Sequence, residues 1–417
     1  MSLWTYLKSK MQKYAERVAF ANANITYSDL LLYAEQNLAP KQLCLCAGQT
    51  REEQAIQILR CIASGKVAVP SAREYGEKNF EYIKNTVETA KENVDDLAFL
   101  MFTSGTTGKP KGVMLTDANI VTNLDYISTY FKLEHCRKIC IGRPLVHIAV
   151  LTGELLYALC CGLTIYFYEE PFMPKRLLAY LKRNEIDVFC ATPTLYQALA
   201  KADKSHACSI KVGAISGEIL SESAGRIIAD AFPNTAFYNV YGLTEHSPRV
   251  SALLPHEFSK RPNSIGKPIG NVKVRISDGE LLIKSPCVMR GYFSDEKQTA
   301  DKVKDGWLHT GDMAHMDADG YLYIDGRKDN MIIRSGLNVY PEEIELAVKE
   351  CSGIDECVVY GECTACGTVI CLKYAGEIEP VELRKRLICL LNPNIVPNRI
   401  ERVEEIARTA SGKKIRK

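Results

Sequence analysis

Apolar strand-like runs alternate with amphipathic helical ones along the first 250 residues, and this alternation constrains the fold more than any other feature. Residues 42–46 read as a strand, 50–64 as a helix and 66–69 as a strand. Residues 97–102 read as a strand that leads, through a polar loop, into a helix over about 117–131. A helix at 175–183, a strand at 187–191 and a helix starting near Thr194 repeat the pattern. Such switching of the hydrophobic period predicts an α/β fold, with mixed sheets flanked by helices. After about residue 250 the chain turns to Pro, Gly and short strands (272–276, 280–284, 321–325), which predicts a small β-rich subdomain. From about 330 the order strand, helix, strand, strand, helix predicts a small α+β module. The polar segment 326–330 between two apolar strands sets the expected boundary, giving domains 1–328 and 329–417. A chain of 417 residues can bury a large core and still supply this second domain.

Charge and hydropathy exclude several classes. A formal net charge of +2 gives no general attraction to nucleic acid or anionic membranes. No run of eighteen uncharged apolar residues appears, so no membrane span is expected. Lys8, Lys10, Lys13, Glu16 and Arg17 interrupt the start of the chain, which argues against a signal peptide and for a cytoplasmic protein. The 16 cysteines are scattered through apolar runs and read as reduced, buried thiols. Cys363 and Cys366 have the spacing of half a zinc site, beside Cys357 and Cys371. No second close pair follows, so a hairpin with strands 357–360 and 368–371 is the better reading.

The chemistry-bearing segment is Thr103-Ser-Gly-Thr-Thr-Gly-Lys-Pro-Lys-Gly112, directly after an apolar strand. Its glycines let the backbone present amides. Its hydroxyls and two lysines add donors and positive charge, as a polyphosphate requires. It is not a Walker A loop, because Gly105 and Gly108 are too close and Pro110 follows Lys109.

The segment resembles the phosphate loop of the ANL superfamily: acyl- and aryl-CoA synthetases, peptide-synthetase adenylation domains and luciferases. Six further segments resemble that family's motifs in order. They are residues 58–71, Asn239-Val-Tyr-Gly-Leu-Thr-Glu245, 279–286 with Arg290-Gly-Tyr292, Trp307-Leu-His-Thr-Gly-Asp312, Gly326-Arg327 with 335–344, and Arg408-Thr-Ala-Ser-Gly-Lys413. The likeness covers nearly the whole chain. It implies a large multi-subdomain N-terminal domain and a small mobile C-terminal one. It also implies an ATP-dependent ligase that converts a carboxylic acid to an acyl-adenylate and passes the acyl group to a thiol.

The resemblance assigns roles residue by residue. Thr103, Ser104, Gly105, Thr106, Thr107, Gly108 and Lys111 would hold the phosphates, with Thr106 taking part in catalysis. Glu245 would ligate Mg²⁺ and Thr244 would contact phosphate. Tyr241 and Gly242 would pack on adenine, Asn239 would bond its edge, and Ser216, Gly217 and Glu218 would form the other wall. Asp312 would accept from the ribose hydroxyls beside Arg327. Lys413 would bridge the attacking carboxylate and the α-phosphate; on residues alone, 413–417 reads as a solvated basic tail. Asp329 matches the hinge, against a plain reading as a surface turn.

Amino-acid-activating relatives carry an Asp for the substrate ammonium in the stretch matching 143–153. Here that stretch holds His147 among apolar residues, with no carboxylate before Glu154. An α-amino group buried there would lack a counter-charge, so an aryl or fatty acid is expected. His147 resembles the histidine beside the substrate carboxylate, against a core histidine. Ser216, Gly242, Leu243, Pro248 and Val250 would line the acyl pocket; Arg249 has no role in this reading. The acceptor is expected to be CoA. The rivals are the phosphopantetheine of a carrier protein, an amino-acid adenylation module and a catalytically silent binding relative. The stretch between Pro70 and Thr103 is shorter than is usual in the family, which implies a trimmed N-terminal subdomain.

Overall fold

The computed structural model describes every residue except 36–41, 73–76, 91–93, 105–109, 203–208, 335–336, 365–366, 409–413 and 417. Its described residues form two compact units, 1–274 with 283–308, and 275–282 with 309–417. The architecture is α/β, as the alternating pattern predicts.

The larger unit holds two sheets. The first has nine strands, and its centre is parallel: Thr164–Phe167, Lys138–Ile141, Val188–Ala191, Val212–Ile215 and Ala236–Gly242. Val188–Ala191 and Val212–Ile215 are buried at every position, because helices cover both faces of such a sheet. Pro193–Ala202 and Glu222–Ala231 supply the crossovers, the latter capped by Ser221 accepting from the Ala224 amide. The chain leaves Lys138–Ile141 for Thr164–Phe167 on one side, then returns to Val188–Ala191 on the other. That reversal makes a switch point, the place where ligands bind beyond the carboxyl ends of the strands.

The second sheet runs Leu43–Cys46, Val67–Pro70, Leu97–Ser104, Pro110–Thr116 and Gly291–Tyr292. Arg51–Ala63, capped by Thr50, joins the first two strands in parallel. Glu77–Thr89 lies between the second and third, so the short stretch after Pro70 is a compact crossover. One expectation is corrected here. The polar loop after residue 102 does not lead straight into a helix. Leu97 to Ser104 turns back as an antiparallel strand, Pro110–Thr116, with Thr103 opposite Lys111. Only then does Asp117–Tyr130 begin, with a capping box between Thr116 and Asn119. Pro110 and Gly112 disguised the second strand.

In the smaller unit residues 312–316, the end of the strand Trp307–Met316, pair with Leu322–Arg327. A short hairpin (Ile332–Arg334, Leu337–Val339), a helix (Pro341–Glu350), a hairpin (Ile354–Thr364, Gly367–Gly376), a helix (Pro380–Leu390) and a strand (Arg399–Arg402) follow. The expected α+β module thus gains a partner for its first strand and a closing strand. Val339, Ile344, Val348, Val359, Leu372 and Leu383 form its core. Cys357 and Cys371 are buried on the long hairpin, and burial pushes the Cys357 thiol up to about 12. Cys366 lies outside the described residues. Among the described residues no group of three or more His, Cys, Asp or Glu is placed to hold a metal, and no helix is long and apolar enough to cross a membrane.

Candidate functional site

Side chains expected at the site gather at the carboxyl ends of the parallel strands. Lys138–Ile141 ends just before Arg143, Val188–Ala191 before Thr192, Val212–Ile215 before Ser216, and Ala236–Gly242 contains Tyr241. Arg143 Nη1 lies 3.4 Å from Ser216 Oγ. Gly217 takes φ +94°, a conformation that glycine adopts without strain. Glu218 is exposed, and its carboxylate accepts from the Thr194 amide and hydroxyl at 3.2 and 2.6 Å. It therefore caps the helix Pro193–Ala202 as well as flanking Gly217.

Tyr241 is half-buried and Gly242 exposed. Asn239 is buried, and its Nδ2 donates to the Pro262 and Ser264 carbonyls at 3.2 and 2.8 Å. Only Oδ1 is left to accept from a base, so this residue secures the 262–264 loop first. The Leu243 amide donates to the Pro248 carbonyl, closing a tight loop around Thr244, Glu245 and His246. A Cβ at Gly242 would fall 2.2 Å from the Pro248 carbonyl oxygen, so only glycine fits. Leu243 is half-buried; Pro248 and Val250 are buried. Asn123 of the helix Asp117–Tyr130 ties this loop down: its Nδ2 donates to the Arg249 carbonyl and its Oδ1 accepts from the Arg249 amide.

Two distant motifs meet at Tyr292. Its hydroxyl donates to Glu245 Oε1 at 2.7 Å, and Lys111 Nζ lies 5.8 Å from its ring centroid. Tyr292 sits opposite Val113 in the strand ladder, which brings it beside the strand Pro110–Thr116. The Met289 amide donates to the Glu245 carbonyl at 2.8 Å and fixes the backbone. Sequence reasoning quoted Tyr292 within a motif and gave it no role. Gly105, Thr106, Thr107 and Gly108 lie outside the described residues, as does the side chain of Ser104.

Behind these residues lies a charged cluster that the sequence did not disclose. Glu154 is fully buried, and its Oε1 accepts from Arg143 Nη2 at 2.6 Å. Leu151–Leu156 winds as a π-helix, a form that often marks functional sites. His147 is not a core histidine. It is exposed, and desolvation by the protein around it, with Arg143 near, lowers its pKa to about 4. His246, enclosed on all sides, is lowered to about 4 by burial.

In the smaller unit, Asp312 and Arg327 are ladder partners, and Arg327 Nη1 meets Asp312 Oδ1 at 2.7 Å. Thr310 Oγ1 accepts from the Asp312 amide and donates to the Leu281 carbonyl. Gly311 takes φ +76°, and its amide donates to Glu280. Asp329 is exposed in a single 3₁₀ turn, between Lys328, paired with Glu280, and Asn330, bonded to Glu342. Lys413 lies outside the described residues. Its neighbours are not a loose basic tail: Lys414 Nζ donates to the Cys357 carbonyl, Arg416 pairs with Glu345 at 2.6 Å, and Lys414 bridges Arg408.

Residues 43–293 match the family model described as AMP-binding enzyme. The chain is 32% identical over 376 residues to a long-chain-fatty-acid–CoA ligase of Salmonella typhimurium, covering 84% of this chain and 65% of that one. It is 28% identical over 414 residues to the 2-succinylbenzoate–CoA ligase of Listeria monocytogenes, covering 95% and 87%. The fold superimposes on o-succinylbenzoate–CoA synthetase from Bacillus subtilis, solved with its acyl-adenylate intermediate. The TM-score is 0.87 at 23% identity, covering 100% of this chain and 97% of that one. The chain thus spans about two thirds of the length of the fatty-acid ligase that it matches.

Proposed function

The chain belongs to the AMP-binding enzyme family of adenylate-forming enzymes, and from that premise we propose that it is an ATP-dependent carboxylic acid–thiol ligase. The acid's carboxylate attacks the α-phosphorus of ATP and pyrophosphate leaves. A thiol, that of CoA, then attacks the acyl carbonyl; AMP leaves and the thiol gives up its proton. The observation that carries the reading is the meeting of Lys111 and Glu245 at Tyr292. It supports the reading because the lysine proposed for the phosphates and the carboxylate proposed for the metal share one neighbour.

The first step brings two anions together, so fixed positive charge and donors lower its barrier. Thr103, Ser104, the loop 105–108 and Lys111 would bind the phosphates, with Thr106 acting in catalysis and Thr244 adding a hydroxyl. Glu245 fits Mg²⁺, a hard ion held by one or two carboxylates together with substrate phosphates; when bound, it would neutralise charge on the leaving pyrophosphate. The Tyr292 hydroxyl aims the carboxylate. Tyr241 and Gly242 would hold adenine, with Asn239 Oδ1 accepting from its amino group and Gly217 and Glu218 on the other side. Asp312, oriented by Arg327, would accept from the ribose hydroxyls. Neutral His147 can donate one hydrogen bond to the acid's carboxylate without charge. Ser216, Gly242, Leu243, Pro248 and Val250 belong to the acyl side, the last two as its buried backing. Lys413 would bridge carboxylate and α-phosphate. We place the domain boundary at 328/329 with Asp329 as the hinge, so that the small domain turns between the two steps.

ATP–pyrophosphate exchange across aryl, fatty and amino acids, with Mg²⁺, tests the reading. Exchange with an aryl or fatty acid, and AMP release that rises with CoA rather than with a carrier protein, supports it. Exchange with amino acids alone, or with no acid, contradicts it.

A further inference from the structure

Arg249 lies in the ladder directly opposite Gly242, at the end of the strand that carries Tyr241. It is 3% exposed, and its Nε is enclosed without a hydrogen-bond partner. Its guanidinium packs against Gly153 of the π-helix: a Cβ there would fall 2.7 Å from Arg249 Nη2. The backbone at Arg249 is clamped by Asn123, so the side chain is aimed by design of the fold. The one buried carboxylate at hand, Glu154, spends Oε1 on Arg143, and its Oε2 is without a partner. Among the described residues Arg249 makes no ion pair of its own.

Two guanidiniums therefore stand near one carboxylate, which bonds only Arg143. A buried cation in deficit is costly until an anion reaches it. The elements that enclose Arg249, the 242–250 turn and the 147–156 helix, are those that carry Gly242, Leu243, Pro248, Val250 and His147. The missing anion is thus most simply supplied from the acyl side.

We propose that Arg249 receives a second carboxylate at the far end of the acyl substrate, so that the preferred acid is a dicarboxylic one. The proposal rests on the ligase reading above and narrows its substrate class. A guanidinium matches a carboxylate in a planar, two-bonded fork, and burial strengthens that bond. The reacting carboxylate is a separate group: it is consumed in the mixed anhydride and cannot remain as the counter-ion.

The test uses the full chain and matched acids: adipate against hexanoate, and terephthalate against 4-methylbenzoate. Pyrophosphate exchange gives kcat/KM for each, and calorimetric titration gives binding without turnover. Wild type is expected to favour the diacid of at least one pair by tenfold or more. In Arg249→Gln the loss on that diacid should be about 30-fold or more and at least ten times the loss on its partner, as for a buried charge pair broken on one side. Arg249→Lys should keep part of the preference, and melting temperatures check that both variants fold. Equal losses on both acids, or a wild type that prefers monoacids in both pairs, would overturn the assignment and leave Arg249 a structural member of the cluster. If the variants do not fold, wild-type selectivity in the calorimetric titration decides alone. No exchange with any acid removes the ligase reading, and this inference with it; diacid selectivity without the second acyl transfer would spare it.

Discussion

Two arginine–carboxylate pairs in this molecule have almost the same length and opposite surroundings. Arg143 meets Glu154 at 2.6 Å in the interior of the larger unit, with the Glu154 side chain wholly buried. Arg327 meets Asp312 at 2.7 Å in the smaller unit, with the arginine side chain 42% exposed. Distance therefore says little about what a pair does. A buried pair fixes the protein around it, because neither charge can be left alone. In the second pair only the guanidinium is open to solvent, since the Asp312 side chain is 10% exposed, so the pair is screened from the arginine side alone. In the proposed reading the first pair would frame the acyl side and the second would meet the ribose.

The largest effect expected from this contrast is on stability. Glu154→Ala removes the partner of Arg143 and the one buried carboxylate near Arg249, and should cost about 3–5 kcal/mol in urea unfolding. A loss below about 1 kcal/mol would erase the distinction between the pairs. Asp312→Ala should do the reverse: a stability change within about 1 kcal/mol, but about 10- to 100-fold lower kcat/KM for ATP, the value of charge-assisted bonds to two hydroxyls. Normal ATP kinetics in that variant would make the second pair merely structural.

The buried region should also respond to acid. The folded pKa of His246 lies near 4, below the 6.5 of an unfolded histidine. Between these values the unfolded chain binds the extra proton. Stability should therefore be fully present above about pH 6.5 and fall as pH drops towards 4, by roughly 3 kcal/mol at most for His246. His246→Gln, compared with wild type in unfolding curves at pH 5 and 7, should flatten that slope; an unchanged slope would place its source elsewhere. A smaller effect is expected for Tyr292→Phe. Losing one hydroxyl on Glu245 should raise the Mg²⁺ requirement of exchange about 3- to 10-fold, while an unchanged requirement would separate Tyr292 from the metal carboxylate. Asp329→Pro sharpens the account of the smaller unit: adenylation should survive and thiol transfer should fall, and equal loss of both would argue against a hinge.

What the sequence disclosed follows the same divide. Roles for Asp312, Arg327 and Tyr241 through Glu245 were legible only through a family resemblance carried by short local motifs; on residues alone Gly311-Asp312 reads as a turn. The parallel strands were legible from uniformly apolar runs such as Val188–Ala191. The Arg143–Glu154 pair was not, because Arg143 lies in the loop before the helical run that starts at Ile148, and Leu151–Leu156 winds as a π-helix, so no α-helical period links the two. Arg249 stood out as odd, and only its place opposite Gly242 gave it a partner chemistry. Pro110–Thr116 escaped because Pro and Gly read as loop, and the short hairpin Ile332–Val339 because two three-residue strands show no periodicity.

The central claim is that the hydroxyl-and-glycine segment 103–112 and Glu245 hold one triphosphate and its metal. A crystal structure with ATP and Mg²⁺ tests it most directly. The account predicts phosphate density against that segment and a metal within about 2.0–2.2 Å of a Glu245 oxygen. A triphosphate bound elsewhere, or none with Glu245 still bonded only to Tyr292, would contradict it.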